Sequence, residues 1–102
     1  MNNPKLSIII LNYNTKELLS DCLKSVKEHM NEVPMEVIVS DNSSTDGSQI
    51  MIKKNFPWVK FIERENEGFS KGNNRAKPYV KGKMVLFLNF RGSKYRSIKR
   101  IK

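Results

Sequence analysis

Leu6-Ser7-Ile8-Ile9-Ile10-Leu11, followed at once by Asn12-Tyr13-Asn14-Thr15, is the stretch on which the fold turns. Its first six residues form an apolar run rich in β-branched side chains. Such a run reads as a strand covered on both faces, as strands of parallel sheets are. Asn14-Thr15-Lys16-Glu17 then fits a capping box, with an acceptor at the N-cap and a glutamate three residues on. Leu18, Leu19, Cys22, Leu23, Val26 and Met30 recur at helical spacing, while Lys16, Glu17, Ser20, Lys24 and Lys27 turn the other way. Strand, cap and amphipathic helix make one βα unit.

The same grammar repeats downstream. Residues 36–40 (EVIVS) read as a second strand, and residues 41–48 (DNSSTDGS) as a polar loop. Asp46 with Gln49 makes a second capping-box pattern, opening a short helix over residues 50–54 that stops before Pro57. Residues 59–63 read as a third strand. Residues 70–80 read as a helix that Pro78 kinks or ends, because proline lacks the donor and clashes with the preceding turn. Residues 84–88 (MVLFL) are a fourth, fully apolar strand. The order βαβαβαβ predicts an α/β fold, a parallel sheet with helical crossovers and helices on both faces. Ligands of such sheets bind beyond the carboxyl ends of the strands. That directs attention to residues 12–15, 41–47, 65–74 and 89 onward, where the polar residues concentrate.

Composition narrows the classes. The 102 residues are 38% hydrophobic and 28% charged, close to globular averages, so wholesale disorder is excluded. A chain this long buries roughly two thirds of its unfolded surface, enough for one core but not two. No apolar run approaches the roughly 20 residues that span a bilayer. Met1 to Lys5 run straight into the first strand, so the sequence predicts no secretory signal. One cysteine, Cys22, and one histidine, His29, make neither an internal disulfide nor a Cys/His metal cluster. Cys22 reads as core and His29 as a helix C-terminal residue suited to the dipole. A cytoplasmic protein is predicted, with attachment to the cytoplasmic membrane face left open.

The formal charge is +9, unevenly spread. Residues 1–52 carry four Lys and seven Asp/Glu, whereas residues 53–102 carry fifteen Lys/Arg and three Glu. Residues 91–102 hold six basic and no acidic side chains. The basic balance is therefore largely a property of residues 90–102, read as a disordered cationic tail after a domain of residues 1–89. With one aromatic, Tyr95, the tail offers no stacking surface. No specific nucleic-acid partner is expected, only weak contact with anionic membranes.

A dinucleotide fold needs G-x-G-x-x-G after the first strand, where this chain has Asn12-Tyr13-Asn14. A P-loop is also missing. Instead IIILNYNTKELLSDCLKSV, EVIVSDNSSTDGS, ENEGFSKGNNRA and VLFLN, in that order and spacing, resemble the start of a family 2 glycosyltransferase of GT-A fold. The resemblance runs from about Leu6 to Asn89. It implies a Rossmann-like nucleotide-sugar-binding half with strand order 3-2-1-4. It also implies transfer of a glycosyl group from a nucleoside-diphosphate sugar to a glycan or lipid acceptor.

On that resemblance Asp41 corresponds to the aspartate that reads the nucleotide base, a carboxylate accepting from a ring N–H; a loop cap is its other reading. Tyr13 lies against base or ribose, with Asn12 and Asn14 hydrogen-bonding to either, unless Asn14 only caps the helix. Asn42 and Ser43 assist Asp41 or shape the turn. Asn66-Glu67-Gly68-Phe69-Ser70-Lys71-Gly72-Asn73-Asn74 resembles the family's N-x-G-F-x-x-G-N-N segment. There Gly68 permits close backbone approach, Lys71 is the cation for phosphates or ribose, or a solvated lysine, and Asn74 contacts the donor or packs.

The resemblance also marks a departure. The family's fourth strand leads into an acidic motif whose last aspartate holds Mg²⁺ or Mn²⁺ against the diphosphate. Here Asn89 stands at the first position, Phe90 follows, and Arg91 replaces the aspartate. The sequence thus implies no metal ligand and no catalytic residue of its own. It predicts a truncated donor-binding half, inactive alone, with acceptor and oligomeric state left open. The alternative is a non-enzymatic module binding nucleotides through its loops or polyanions through its tail.

Overall fold

The computed structural model describes residues 4–64, 80–91 and 94–101. Its elements run β1 (Leu6–Asn12), α1 (Lys16–His29), β2 (Met35–Asn42), α2 (Ser48–Asn55), β3 (Lys60–Arg64), β4 (Met84–Arg91) and β5 (Lys94–Ile101). The sheet order is β3-β2-β1-β4-β5. β1 pairs parallel with both β2 and β4, and β2 pairs parallel with β3. The predicted four parallel strands in order 3-2-1-4 are therefore present. The third predicted helix, residues 70–80, lies almost wholly outside the described residues.

Alternation along the strands builds two cores. Ile8, Ile10, Val37 and Val39 face one side and pack with Leu19, Cys22 and Leu23 of α1 and Met51 and Ile52 of α2. Phe56 and Val59 join that cluster, and the Phe56 and Trp58 rings meet edge-to-face at 6.0 Å. Ile9 and Ile38 face the other side, against Ile62, Val80, Val85 and Phe87. A strand apolar on every residue has no solvent face, which is why the 6–11 run demanded cover on both sides. Each fully buried Ile or Leu contributes about 1.5–3 kcal/mol of transfer free energy, so β1 anchors both layers. Cys22 is core, as expected.

One tie holds the chain as it returns to β4. Ser7, fully buried in β1, donates to Glu36 Oε2 at 2.5 Å and accepts from the Gly82 N–H at 2.8 Å. The Lys81 N–H donates to the same Glu36 oxygen. A Cβ on Gly82 would stand 2.6 Å from the Ser7 nitrogen, so only glycine fits against β1 here.

The tail departs from expectation. Residues 94–101 form β5, antiparallel to β4, with Val85 opposite Ile101 and Arg91 opposite Lys94. A bulge sits between Leu88 and Asn89. The disordered end was expected from its run of basic side chains. Backbone pairing does not need an apolar pattern, and β4 offers an edge to pair with.

Candidate functional site

The carboxyl ends of the parallel strands come level by register. Asn12 stands opposite Asp41 on β2, and Leu11 opposite Asn89 on β4. Asn12 and Asp41 are each 1% exposed, and buried polar groups must find partners. Asn12 Nδ2 donates to Asp41 Oδ1 at 2.7 Å, while its Oδ1 accepts from the Thr15 hydroxyl at 2.6 Å. Asp41 Oδ1 also accepts from Ser44 Oγ at 2.7 Å, and Oδ2 accepts from the Ser44 N–H at 2.9 Å. A carboxylate that accepts from the backbone N–H three residues on ties the loop back to its own start. Asp41 thus shapes the loop, the reading offered beside base recognition.

The two loops above these strands lock together. The Asn14 N–H donates to Ser44 Oγ at 2.9 Å, and the Thr45 N–H donates to Asn14 Oδ1 at 2.7 Å. Asn14 (φ 51°) and Ser43 (φ 64°) both take left-handed backbone, which asparagine tolerates better than serine. Asn14 is therefore not the N-cap of α1. Thr15 holds that position and makes no side-chain cap bond. The acceptor comes from across the crevice, where Asp46 Oδ2 takes the Lys16 N–H at 2.9 Å.

Asp46 serves α2 as well. Its Oδ1 accepts from the Ser48 N–H at 3.1 Å and the Ser48 hydroxyl at 2.5 Å. The α2 N-cap itself is Gly47, at φ 88°, a backbone conformation that glycine adopts without penalty. Burial pushes the Asp46 carboxyl up, but the hydrogen bonds from the Ser48 hydroxyl and the Lys16 and Ser48 N–H groups outweigh it. The net effect holds its pKa below the ordinary carboxylate value. Gln49, expected to close a capping box with Asp46, instead reaches Glu63 at 3.1 Å.

Of the predicted site residues, Asn12, Tyr13, Asn14, Asp41, Asn42 and Ser43 come together at this end of the sheet, and Asn89 joins them by register. Tyr13 is 50% exposed at the lip, Asn42 is half-buried at the end of β2, and Ser43 is exposed. Gly68, Lys71 and Asn74 lie outside the described residues. Sequence reading passed over Ser44 and Thr15; the three-residue spacing from Asp41 to Ser44 was the available signal. Among the described residues no group of three or more His, Cys, Asp or Glu could hold a metal ion. Arg91, at the position of the family's metal-binding aspartate, is a cation and not a ligand. The described residues at this end of the sheet do not fit a divalent ion.

The family and the fold are shared with known proteins. The chain matches the model of glycosyl transferase family 2 over residues 7–89. It is 36% identical over 86 residues to the glycosyltransferase YfnE of Bacillus subtilis, covering 81% of this chain and 22% of that protein. It is 36% identical over 91 residues to the poly(ribitol-phosphate) beta-glucosyltransferase of Bacillus spizizenii, covering 83% and 14%. The chain thus spans less than a quarter of the length of either relative. The crystal structure of S. aureus TarS superposes with a TM-score of 0.72 at 28% identity, over 83% of this chain and 16% of that one. The mannosyltransferase PcManGT from Pyrobaculum calidifontis, solved with GDP-Man and Mn²⁺, shares the fold, with a TM-score of 0.71 at 23% identity over 87% and 28%. Among the described residues no helix is long and apolar enough to cross a membrane. A family match from the first strand to the fourth, on a sheet with the predicted strand order, makes this chain a member of glycosyl transferase family 2.

Proposed function

We propose that the chain binds the nucleoside-diphosphate part of a sugar donor at the carboxyl ends of β1, β2 and β4, for transfer of the sugar to a glycan or lipid acceptor. The Asn12–Asp41 pair carries this reading. It places an amide and a carboxylate side by side, on adjacent parallel strands, where such sheets bind ligands. The uses printed for structural relatives point the same way. PcManGT is described with GDP-Man, and the glucosyl-3-phosphoglycerate synthase of Mycobacterium tuberculosis with UDP.

In this reading Tyr13, half exposed, lies against the base or ribose. Asp41 accepts a ring N–H of the base, with Asn42 and Ser43 beside it. Because Asp41 is 1% exposed, reading a base requires the loop to open beside Oδ2 while Ser44 stays bonded to the carboxylate. Asn89 borders the same crevice through its register with Leu11. By the family resemblance, Gly68, Lys71 and Asn74 are assigned to the donor as well, Lys71 to its phosphates or ribose. These residues bind and orient the donor; none is assigned as the base that activates an acceptor.

Calorimetry with UDP and GDP tests the proposal. Binding should be measurable, and Asp41→Ala should weaken it by about 1–3 kcal/mol, the scale of a lost charge-assisted hydrogen bond. Equal affinity in the mutant refutes the assignment of Asp41. Absence of nucleotide binding, with salt-sensitive binding to DNA or anionic vesicles that is lost on removing residues 92–102, favours a polyanion-binding module instead.

A further inference from the structure

We propose that Ser44 is the positioning residue of this nucleotide site, setting how Asp41 and the Tyr13 loop together meet the base. The inference rests on the reading of Asp41 given above. A serine hydroxyl has one proton to donate and two lone pairs to accept with. Here all three are used. Ser44 Oγ donates to Asp41 Oδ1 at 2.7 Å and accepts from the Asn14 N–H at 2.9 Å and Asn12 Nδ2 at 3.2 Å. The direction of the proton follows from the partners, since two of them are N–H groups and an ionised carboxylate only accepts. Ser44 therefore has nothing left for a ligand, and its effect must pass through its neighbours.

Those neighbours are the two halves of the site. Through the Asn14 N–H, the hydroxyl holds the backbone immediately after Tyr13. Through Asp41 Oδ1, it fixes the rotation of the carboxylate. With Asn12 and Ser44 Oγ both on Oδ1, that oxygen is saturated. Oδ2 accepts a single bond among the described residues, from the Ser44 N–H. The oxygen with capacity for a ring N–H is therefore Oδ2, and Ser44 makes it so. Without the hydroxyl, Oδ1 keeps only Asn12 and the Asn14 N–H loses its acceptor, so the carboxylate and the Tyr13 loop are held by fewer bonds, those from Asn12, the Ser44 N–H and the Thr45 N–H. A ligand then loses the fixed angle between the face contact and the edge contact.

Base preference reads this out, because it depends on the direction of Asp41 rather than on folding alone. Uracil and guanine carry a ring imino N–H; cytosine and adenine do not. The full chain is titrated with UDP, GDP, CDP and ADP, and the preference is taken as the tighter of the first pair over the tighter of the second. Wild type should show a preference, Asp41→Ala should lose it, and Ser44→Ala should reduce it by about threefold or more. Ser44→Thr, which keeps the hydroxyl, should restore it to within about twofold. If Ser44→Ala does not fold, Ser44→Cys carries the same expectation, since its thiol keeps the bulk but donates weakly. A Ser44→Ala or Ser44→Cys protein that melts lower but keeps the full preference, while Asp41→Ala loses it, overturns the role of Ser44 alone. A preference that survives Asp41→Ala, or a wild type without one, overturns the reading of Asp41 and this inference with it.

Discussion

Asp46→Ala should destabilise the fold by about 2 kcal/mol, twice what a single helix cap is typically worth. The carboxylate answers the first N–H of α1 through Oδ2 and the first turn of α2 through Oδ1. Each helix start leaves four N–H groups without helical partners, and replacing a capping side chain by alanine costs about 1 kcal/mol per helix. Two helices share this one residue, so the losses add. In a domain of this size the change lowers Tm by roughly 10 °C. Asp46→Asn should cost about half as much, because its amide keeps one acceptor oxygen and turns the other into a donor facing an N–H. Urea unfolding of the three proteins, followed by far-UV circular dichroism, gives the comparison. The pH dependence fixes the sign. The folded pKa is depressed, so the Asp46 contribution is fully present above the unfolded value of about 3.9 and is lost as pH falls through the lower folded value. The gap between wild type and Asp46→Asn should therefore be constant well above the unfolded value of about 3.9 and narrow as pH falls below it. A loss below about 0.5 kcal/mol for Asp46→Ala, or a gap that widens in acid, refutes the shared cap.

Other perturbations test separate parts of the structure. Gly82→Ala should cost about 1–3 kcal/mol, measured by the same unfolding assay, because the new Cβ would stand 2.6 Å from the Ser7 nitrogen and 2.7 Å from the Leu6 carbonyl carbon; a neutral substitution would show that this approach is looser. Leu19→Ala, at a fully buried position in the larger core, should cost about 2–5 kcal/mol, and a loss under about 1 kcal/mol would show that the site collapses around the gap. Adding Mg²⁺ or Mn²⁺ should leave nucleoside-diphosphate affinity within about twofold, or roughly 0.4 kcal/mol, since Arg91 stands where the metal-binding aspartate is expected; calorimetry with and without the ion decides.

The fold was legible because β1 and β4 open with apolar runs, because β2 carries the run Val37-Ile38-Val39, and because α1 carries one apolar stripe. Ile8, Ile9 and Ile10 have only one kind of home, a strand covered on both faces; the strand order came from the family resemblance and not from this pattern. Helix starts were less legible. Asn14 and Glu17 have capping-box spacing, yet the acceptor for α1 comes from Asp46, thirty residues away along the chain. Local spacing carries no trace of that partner. The same limit applies to Gln49, which prefers Glu63 on β3. β5 escaped because its pairing belongs to the backbone and to the edge left by β4, while KYRSIKRI shows no strand alternation. At the site, the residue types at the strand ends were readable. That Asp41 is already engaged by Asn12 and Ser44 became visible only when two loops were brought together.

The central position of β1 has a cost during synthesis. β2 follows β1 closely in sequence and can pair with it early, but β4 occupies the opposite edge, with Leu6 opposite Met84. Most of the chain must therefore emerge before that edge is covered. Until then LSIIILN presents unpaired backbone along an apolar, β-branched segment, the kind that pairs with copies of itself. Non-local parallel pairing is also slow to form, which lengthens the exposure. Yield of folded protein should depend on temperature and expression rate more steeply than equilibrium stability suggests, with the nascent β1 edge as the point at which chaperones and aggregation compete.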